Sequence, residues 1–420
     1  MKEDKSKKKA FKFIDLFAGI GGFHTAMHES GGECVFASEI DKFARQTYEH
    51  NFRNISPELF QNNNFNQDIT DKSLDYSDIP YFDVLCAGFP CQAFSIAGYR
   101  QGFSDEKGRG NLFFNILEIL KVKKPQLFLL ENVKNLKTHD EGKTFQRICH
   151  ELTKLGYGIN SKILNGSDFG LPQNRERIFI VGVKDGWTTD PIPAPTEDFV
   201  LKEKELEELI SKNPSNAMSK FEFPIGDHKL RLNQFSNNPH KIKTEFNNNL
   251  VEYFDPPKEL EEFFESYNDR SDWSKFIYNF KDGHFQKVTN YIDSKLLSNQ
   301  NIYEFEDWSN DNWEDNGYDY IYQWRRKYVR RNSSSVCPTL TANMGTGGHN
   351  VPLVICGRTA NGYLVRKLTP VECFAFQGFD KEDFIELEKK ISAGNLYKQA
   401  GNSIPVNVVK AVTKNLIKLL

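Results

Sequence analysis

Apolar positions along the first 185 residues gather into short runs, at 11–17, 34–38, 82–87, 126–130 and 177–183, each rich in Val, Ile, Leu or Phe. Runs of this length bounded by turn residues predict strands. Stretches at 41–50, 111–121 and 143–155 instead carry apolar residues at helical spacing. Strands alternating with helices predict a parallel sheet with helices on both faces, a doubly wound α/β domain. From 184 to 331 the texture changes: Asn, Lys, Glu, Phe and Trp are interspersed, Pro191, Pro193, Pro195, Pro256 and Pro257 recur, and the alternation is lost. Helices are expected there only at 201–212 and 258–267. The aromatic content still demands a core, so this part reads as a second, smaller and irregular domain. Between 403 and 420, Val406, Val409, Val412, Leu416, Leu419 and Leu420 recur at helical spacing and predict a helix that packs back on an apolar surface.

A length of 420 residues suggests two domains or three, and 39% hydrophobic with 26% charged residues is the balance of a folded globular chain. No run approaches the ~18 uncharged apolar residues of a membrane span. The basic start, Lys2 to Lys9, leads into a stretch broken by Lys12 and Asp15, which is not a signal peptide. A soluble cytoplasmic protein is expected. Seven cysteines, an odd number with no C-x-x-C pair, exclude a disulfide framework, and no Cys/His cluster has zinc spacing, so no metal is expected. The net charge of −3 argues weakly against a nucleic-acid partner, but the placement of basic residues decides that question.

Four constellations carry candidate chemistry. Asp15-Leu16-Phe17-Ala18-Gly19-Ile20-Gly21-Gly22 puts glycines directly after a strand, where the backbone turns tightly and can approach a ligand. Glu39, at the end of the next strand in Ser38-Glu39-Ile40-Asp41, can accept ribose hydroxyls. Together they fit a nucleoside cofactor or an ordinary strand–helix turn. Gly88-Phe89-Pro90-Cys91-Gln92 places a thiol at a strand's carboxyl end, either a nucleophile or a small buried hydrophobe. Glu131, closing another strand, can hydrogen-bond or protonate a ring nitrogen, or cap a helix. Arg175 and Arg177, two apart at the entry to a strand, project to one face as an anion site or an ion-pair edge.

Taken together the motifs resemble the DNA cytosine-5 methyltransferases over nearly the whole chain. The resemblance rests on FIDLFAGIGGF from Phe13, SEID from Ser38, QDI from Gln67, GFPCQAFSIAG from Gly88, GNLFF from Gly110, ENV from Glu131 and QNRER from Gln173. TLTANMGTGGHN from Thr339, RKLTPVECFAFQGF from Arg366 and QAGNSIPVNVV from Gln399 complete it in the family's order. It implies a Rossmann-like S-adenosylmethionine-dependent domain at 1–185 plus 392–420 and a target-recognition domain at 186–391. It implies that Cys91 is the nucleophile toward cytosine carbon 6, that Glu131 binds the ring, and that Arg177 and Arg175 act beside it. S-adenosyl-L-methionine is implied on Phe17, Ala18, Gly19, Gly21, Gly22, Ser38, Glu39, Ile40, Asp68, Ile69, Pro90, Leu112, Asn402 and Ser403. A loop from Gly98 to Gly110 is implied to close over DNA.

Double-stranded DNA is the implied partner, with Ser95, Gln173, Thr339, Gly345, Gly347 and Gly348 as contacts. The basic cluster of Arg325, Arg326 and Arg330 would supply phosphate contacts or form a solvated face. A monomer is expected, serving as the modification partner of an independently acting restriction endonuclease. Action on tRNA, a non-catalytic DNA-binding regulator and a nicotinamide dehydrogenase are the competing readings. The missing third glycine and Pro90-Cys91 disfavour the last, and intact Cys91 and Glu131 the regulator.

Overall fold

A computed structural model describes residues 11–90, 112–212, 218–227, 263–265, 274–276, 321–325, 328–331, 336–346, 351–359 and 362–420. They fall into two units, one of 1–164, 176–224 and 408–420, the other of 165–175 and 225–407.

The first unit begins β1 (Phe11–Leu16), α1 (Gly22–Glu29), β2 (Gly32–Ser38), α2 (Lys42–Phe52), α3 (Pro57–Gln61), β3 (Phe65–Asn66) and β4 (Val84–Gly88). It continues with α4 (Leu112–Lys123), β5 (Leu127–Val133), α5 (Lys143–Lys154), β6 (Gly158–Asn165), β7 (Glu176–Val183) and α6 (Glu203–Lys212). The seven strands form one sheet in the order β3-β2-β1-β4-β5-β7-β6. β1 pairs in parallel with both β2 and β4, so strand order reverses there; crevices at such reversals, outside the carboxyl ends, are where α/β sheets hold ligands. The sheet is not wholly parallel as the alternation predicted: β7 runs antiparallel to β5.

Alternation along the strands divides the core into two layers. Ile14, Leu16, Leu85, Ala87, Phe128, Leu130, Ile178 and Ile180 point to one face and pack with Ile116 and Leu120 of α4 and Ile148 and Leu152 of α5. On the other face the Phe13 ring meets the edge of His24 from α1 at 5.5 Å. Thr413, in the expected C-terminal helix, touches Met27 of α1, its hydroxyl 3.7 Å from the Met27 sulfur.

The second unit holds β8 (Tyr322–Arg325), β9 (Tyr328–Arg331), β10 (Val351–Thr359) and β11 (Gly362–Lys367), an antiparallel sheet in the order β11-β10-β8-β9. α7 (Pro370–Ala375) starts on a capping box in which the Thr369 hydroxyl accepts the Glu372 N–H and the Glu372 carboxylate accepts the Thr369 N–H. Glu372 also holds Arg366 bidentately at 2.8 Å, both side chains fully buried. α8 (Glu382–Ile385) stacks Phe384 on Phe374 at 4.0 Å. α9 (Ala393–Asn402) follows, while α10 (Val406–Leu416) belongs from Val408 onward to the first unit. The unit bounds differ from the sequence division at 185/186 and 391/392. Residues 165–175 belong with the second unit because their side chains bond to 340, 376, 401 and 403. The expected helix at 258–267 lies mostly outside the described residues.

Candidate active site

The loop after β1 is built on unusual backbone. Phe17 has φ +55°, a left-handed conformation that costs a bulky L-residue about 1–2 kcal/mol. Gly21 has φ +92°, and a Cβ there would lie 2.0 Å from Cε2 of Phe52. Only glycine fits this position. Strain of this kind, held by surrounding structure, is characteristic of ligand clamps. The Ala18 N–H donates to Ser38 O at 2.9 Å, tying the loop to the end of β2, and Gly22 opens α1.

Glu39 is the hub. Its Oε2 accepts the Gly19 N–H at 2.8 Å and its Oε1 the Asp41 N–H at 2.7 Å. Burial pushes its carboxyl above the usual value, against the pull of those two N–H groups. A carboxylate offers about four lone-pair sites, so each oxygen can still accept another hydrogen. Ile40 beside it is 66% exposed, a bare apolar side chain at a strand end. Ser38 Oγ donates to Asn66 Oδ1 at 3.1 Å. Asp68 Oδ1 accepts the Thr70 N–H at 2.9 Å and hydroxyl at 2.7 Å, fixing the turn after β3. Ile69 is buried, and its carbonyl accepts the Tyr76 hydroxyl at 3.0 Å.

β4 and β5 supply the second half. Gly88 pairs in parallel register with Glu131, and an ideal Cβ on Gly88 would sit 3.4 Å from Glu131 Oε2. Arg177 of β7 donates from Nε to Glu131 Oε1 at 3.0 Å, with both side chains nearly buried. Asn132, which sequence reasoning passed over, bridges the two strand ends. Its Nδ2 donates to Phe89 O at 2.8 Å and its Oδ1 accepts the Val133 N–H at 2.8 Å. Since Pro90 has no N–H, Phe89 O is the hydrogen-bonding group of that peptide, and Asn132 holds it two residues before Cys91 in the sequence. The only sequence signal was its position next to Glu131 at a strand end. Pro90 is exposed, and Leu112 opens α4. Cys91, Ser95 and the 98–110 loop lie outside the described residues.

Arg175 and Arg177 do not share a strand face, because β7 begins at Glu176. The Arg175 guanidinium, 1% exposed, donates from Nη1 to Leu340 O at 3.0 Å and from Nη2 to Gly401 O at 2.9 Å and to Ser403 O. These last two carbonyls lie at the carboxyl end of α9, where a cation is favoured. Gln173, expected at DNA, is fully buried: its Nε2 donates to Phe376 O and its Oε1 accepts the Leu340 N–H, both at 3.0 Å. The Thr339 hydroxyl donates to Asn174 O. Gly345 was expected to admit DNA, yet its closest neighbour is Tyr397, whose Cδ2 would lie 2.4 Å from an added Cβ. Asn402 is exposed, and the buried Ser403 Oγ has no hydrogen-bond partner among the described residues. Arg325 and Arg330 lie on β8 and β9, while Arg326, Gly347 and Gly348 lie outside the described residues.

The five described cysteines, Cys34, Cys86, Cys149, Cys337 and Cys373, are all buried, and burial pushes every thiol up. Such thiols are poor nucleophiles at neutral pH. Among the described residues no group of His, Cys, Asp and Glu could hold a metal, and no described helix is long and apolar enough to cross a membrane.

The sheet, its order reversal and the loop-plus-acid arrangement are those of a Rossmann-like methyltransferase. Two solved structures share the fold: the Dnmt2 methyltransferase of S. pombe and a putative DNA modification methyltransferase encoded within an E. coli prophage. The first has a TM-score of 0.54 at 16% identity, covering 97% of this chain and 98% of its own. The second has a TM-score of 0.50 at 18% identity, covering 98% and 99%. The profile of the C-5 cytosine-specific DNA methylase family matches residues 11–418, and the chain belongs to that family. The Type II methyltransferase M.Bsp6I of Bacillus sp. (strain RFL6) is 39% identical over 411 residues, 97% of this chain and 98% of the relative. M.HgiCI of Herpetosiphon aurantiacus, also a Type II methyltransferase, is 35% identical over 453 aligned positions, again 97% and 98%.

Proposed function

We propose that this chain transfers a methyl group from S-adenosylmethionine to carbon 5 of a cytosine flipped out of duplex DNA, through a covalent Cys91 adduct. The observation that carries the reading is the parallel pairing of Gly88 with Glu131. It sets the Glu131–Arg177 pair beside the carboxyl end of β4, three residues before Cys91 in the sequence.

The residues present fit the cofactor. An added Cβ on Gly19 would meet nothing within 4 Å, so open space adjoins the loop, and Glu39 keeps lone pairs for ribose hydroxyls. Phe17, Gly19, Glu39, Ile40, Asp68 and Ile69 would hold the nucleoside, with Ile40 offering an apolar surface to a base. Bound S-adenosylmethionine supplies an electrophilic methyl group.

Carbon 5 of cytosine is a weak nucleophile because attack would disrupt the aromatic ring. A Cys91 thiolate adding to carbon 6 makes carbon 5 enamine-like and nucleophilic. Glu131, held by Arg177, would give nitrogen 3 the proton that offsets the negative charge developing there and take it back as Cys91 leaves. Carbon 5 takes up the methyl group, a base then removes the carbon 5 proton, and the Cys91 thiolate is expelled as the double bond between carbons 5 and 6 re-forms. A stacked base is out of reach of this chemistry, so flipping must precede it.

The second unit, with β8 and β9 carrying Arg325 and Arg330, would read the duplex. Likeness to two Type II methyltransferases over nearly their full lengths supports a role in restriction-modification, beside an endonuclease that acts independently. The test is transfer of tritiated methyl to duplex DNA and to tRNA side by side, using wild type and Cys91→Ala. DNA alone should be labelled, Cys91→Ala should be inactive while still binding S-adenosylmethionine, and DNA with 5-fluorocytosine should trap wild type covalently. Turnover by the Ala variant, or labelling of tRNA alone, overturns the reading.

A further inference from the structure

β3 pairs with β2 at only two positions, Ala37 with Phe65 and Ser38 with Asn66. Such a short edge pairing is weak by itself. Yet the segment that follows it carries Asp68 and Ile69, while β2 leads directly to Glu39. Arg45 of α2 ties the two strand ends together. Its Nη1 donates to Glu39 O at 3.2 Å and to Asn66 O at 2.6 Å, and its Nη2 donates to Phe65 O at 3.2 Å. The guanidinium carbon also lies 4.2 Å from the centre of the Phe65 ring. Asn66 O accepts the Glu39 N–H as well, at 3.2 Å, so the backbone bond and the arginine converge on one carbonyl.

We propose that Arg45 is a positioning residue for the cofactor, setting the distance between Glu39 and the Asp68–Ile69 segment without touching the ligand. The inference rests on the reading of those three residues as the S-adenosylmethionine site. A planar guanidinium with five donors can span three carbonyls and stack on a ring at once, which a single ammonium cannot. Without it, the short β3 pairing and the Ser38–Asn66 hydrogen bond are left to fix Glu39 and the Asp68–Ile69 segment relative to each other, and small misplacements of binding groups are costly.

The test is calorimetric binding of S-adenosylmethionine and S-adenosylhomocysteine to the full chain as wild type, Arg45→Ala, Arg45→Lys and Arg53→Ala. Arg53 caps the same helix, pairs with Glu49 and lies 5.5 Å over the Phe60 ring, away from the β2–β3 carbonyls. Arg45→Ala should weaken both ligands by about tenfold or more, and Arg45→Lys should recover only part of the loss. Arg53→Ala should bind as wild type does. In turnover, the KM for S-adenosylmethionine should rise while kcat at saturation and the KM for DNA stay within about twofold. Should Arg45→Ala fail to fold, Arg45→Gln decides by the same criteria. Affinity within about twofold of wild type, an equal loss in Arg53→Ala, or a loss confined to kcat overturns the proposal. A wild-type chain that binds neither ligand overturns the cofactor reading itself, and the role of Arg45 with it.

Discussion

Glu39→Gln removes one charge from the loop while preserving the side chain's shape. In the native site one carboxylate oxygen faces the Asp41 N–H and the other faces the Gly19 N–H, at 2.7 and 2.8 Å. A carboxamide has one acceptor oxygen and one NH2, so in either orientation the NH2 meets an N–H and one bond becomes a clash of donors. It also offers a ribose at most one of the two acceptors. Each bond to the charged group is worth about 1.5–3 kcal/mol, so S-adenosylmethionine affinity should fall roughly 10- to 150-fold.

Acidity adds a second signature. Burial holds the Glu39 carboxyl above its usual value, and in the proposed site the ribose hydroxyls would donate to its ionised form. Wild-type affinity should therefore drop as pH falls through that raised value, while the Gln variant shows no such slope. The unliganded fold responds in the opposite sense. A group whose folded pKa is raised contributes stability that is full below the unfolded value and lost as pH rises through the folded one. Calorimetry at intervals from about pH 5 to pH 8, with thermal unfolding alongside, reads both effects. A Gln variant that binds within about threefold of wild type, or shares its pH slope, would refute the reasoning.

Gly21→Ala should destabilise the chain by about 2–4 kcal/mol, because the left-handed backbone is strained and the new Cβ must displace a Phe52 ring that stacks on His24 at 3.8 Å. An unfolding midpoint equal to wild type's would contradict the packing described. Arg175→Met should strand three buried carbonyls and cost about 3–5 kcal/mol in urea unfolding; a loss below about 1 kcal/mol would show that the guanidinium is not the clamp it looks to be.

The strands and the first helices were legible because their periodicity is local: the runs at 11–17, 82–87 and 126–130 became β1, β4 and β5 within a few residues. The places of Glu39, directly after β2, and of Glu131, in β5, were legible because each follows an apolar run. The antiparallel return of β7 was not, since an apolar run looks the same in either direction. Arg175 was expected to share a strand face with Arg177, and Gln173 to meet DNA, and neither reading foresaw a buried side chain. Their partners lie 165 to 228 residues away, and nothing local announces a bond of that span. The hairpin of β10 and β11 did leave a mark, Asn361-Gly362 ahead of Tyr363-Leu364-Val365, a turn signal flanked by strand formers. Arg45 left none, because an arginine on an amphipathic helix reads as a solvated charge.

The layer that covers α1 has a consequence for synthesis. Met27 is touched by Thr413, 386 residues further on, and Glu29 pairs with Lys410 at 2.7 Å. At about 5–20 residues per second, roughly 20–80 s separate the emergence of the two partners from the ribosome. The whole of 225–407 is made in the interval. The nascent chain therefore carries α1 without its Thr413 and Lys410 contacts until that later helix has been made. The glycine loop that opens this helix is synthesised well before the helix that supports it.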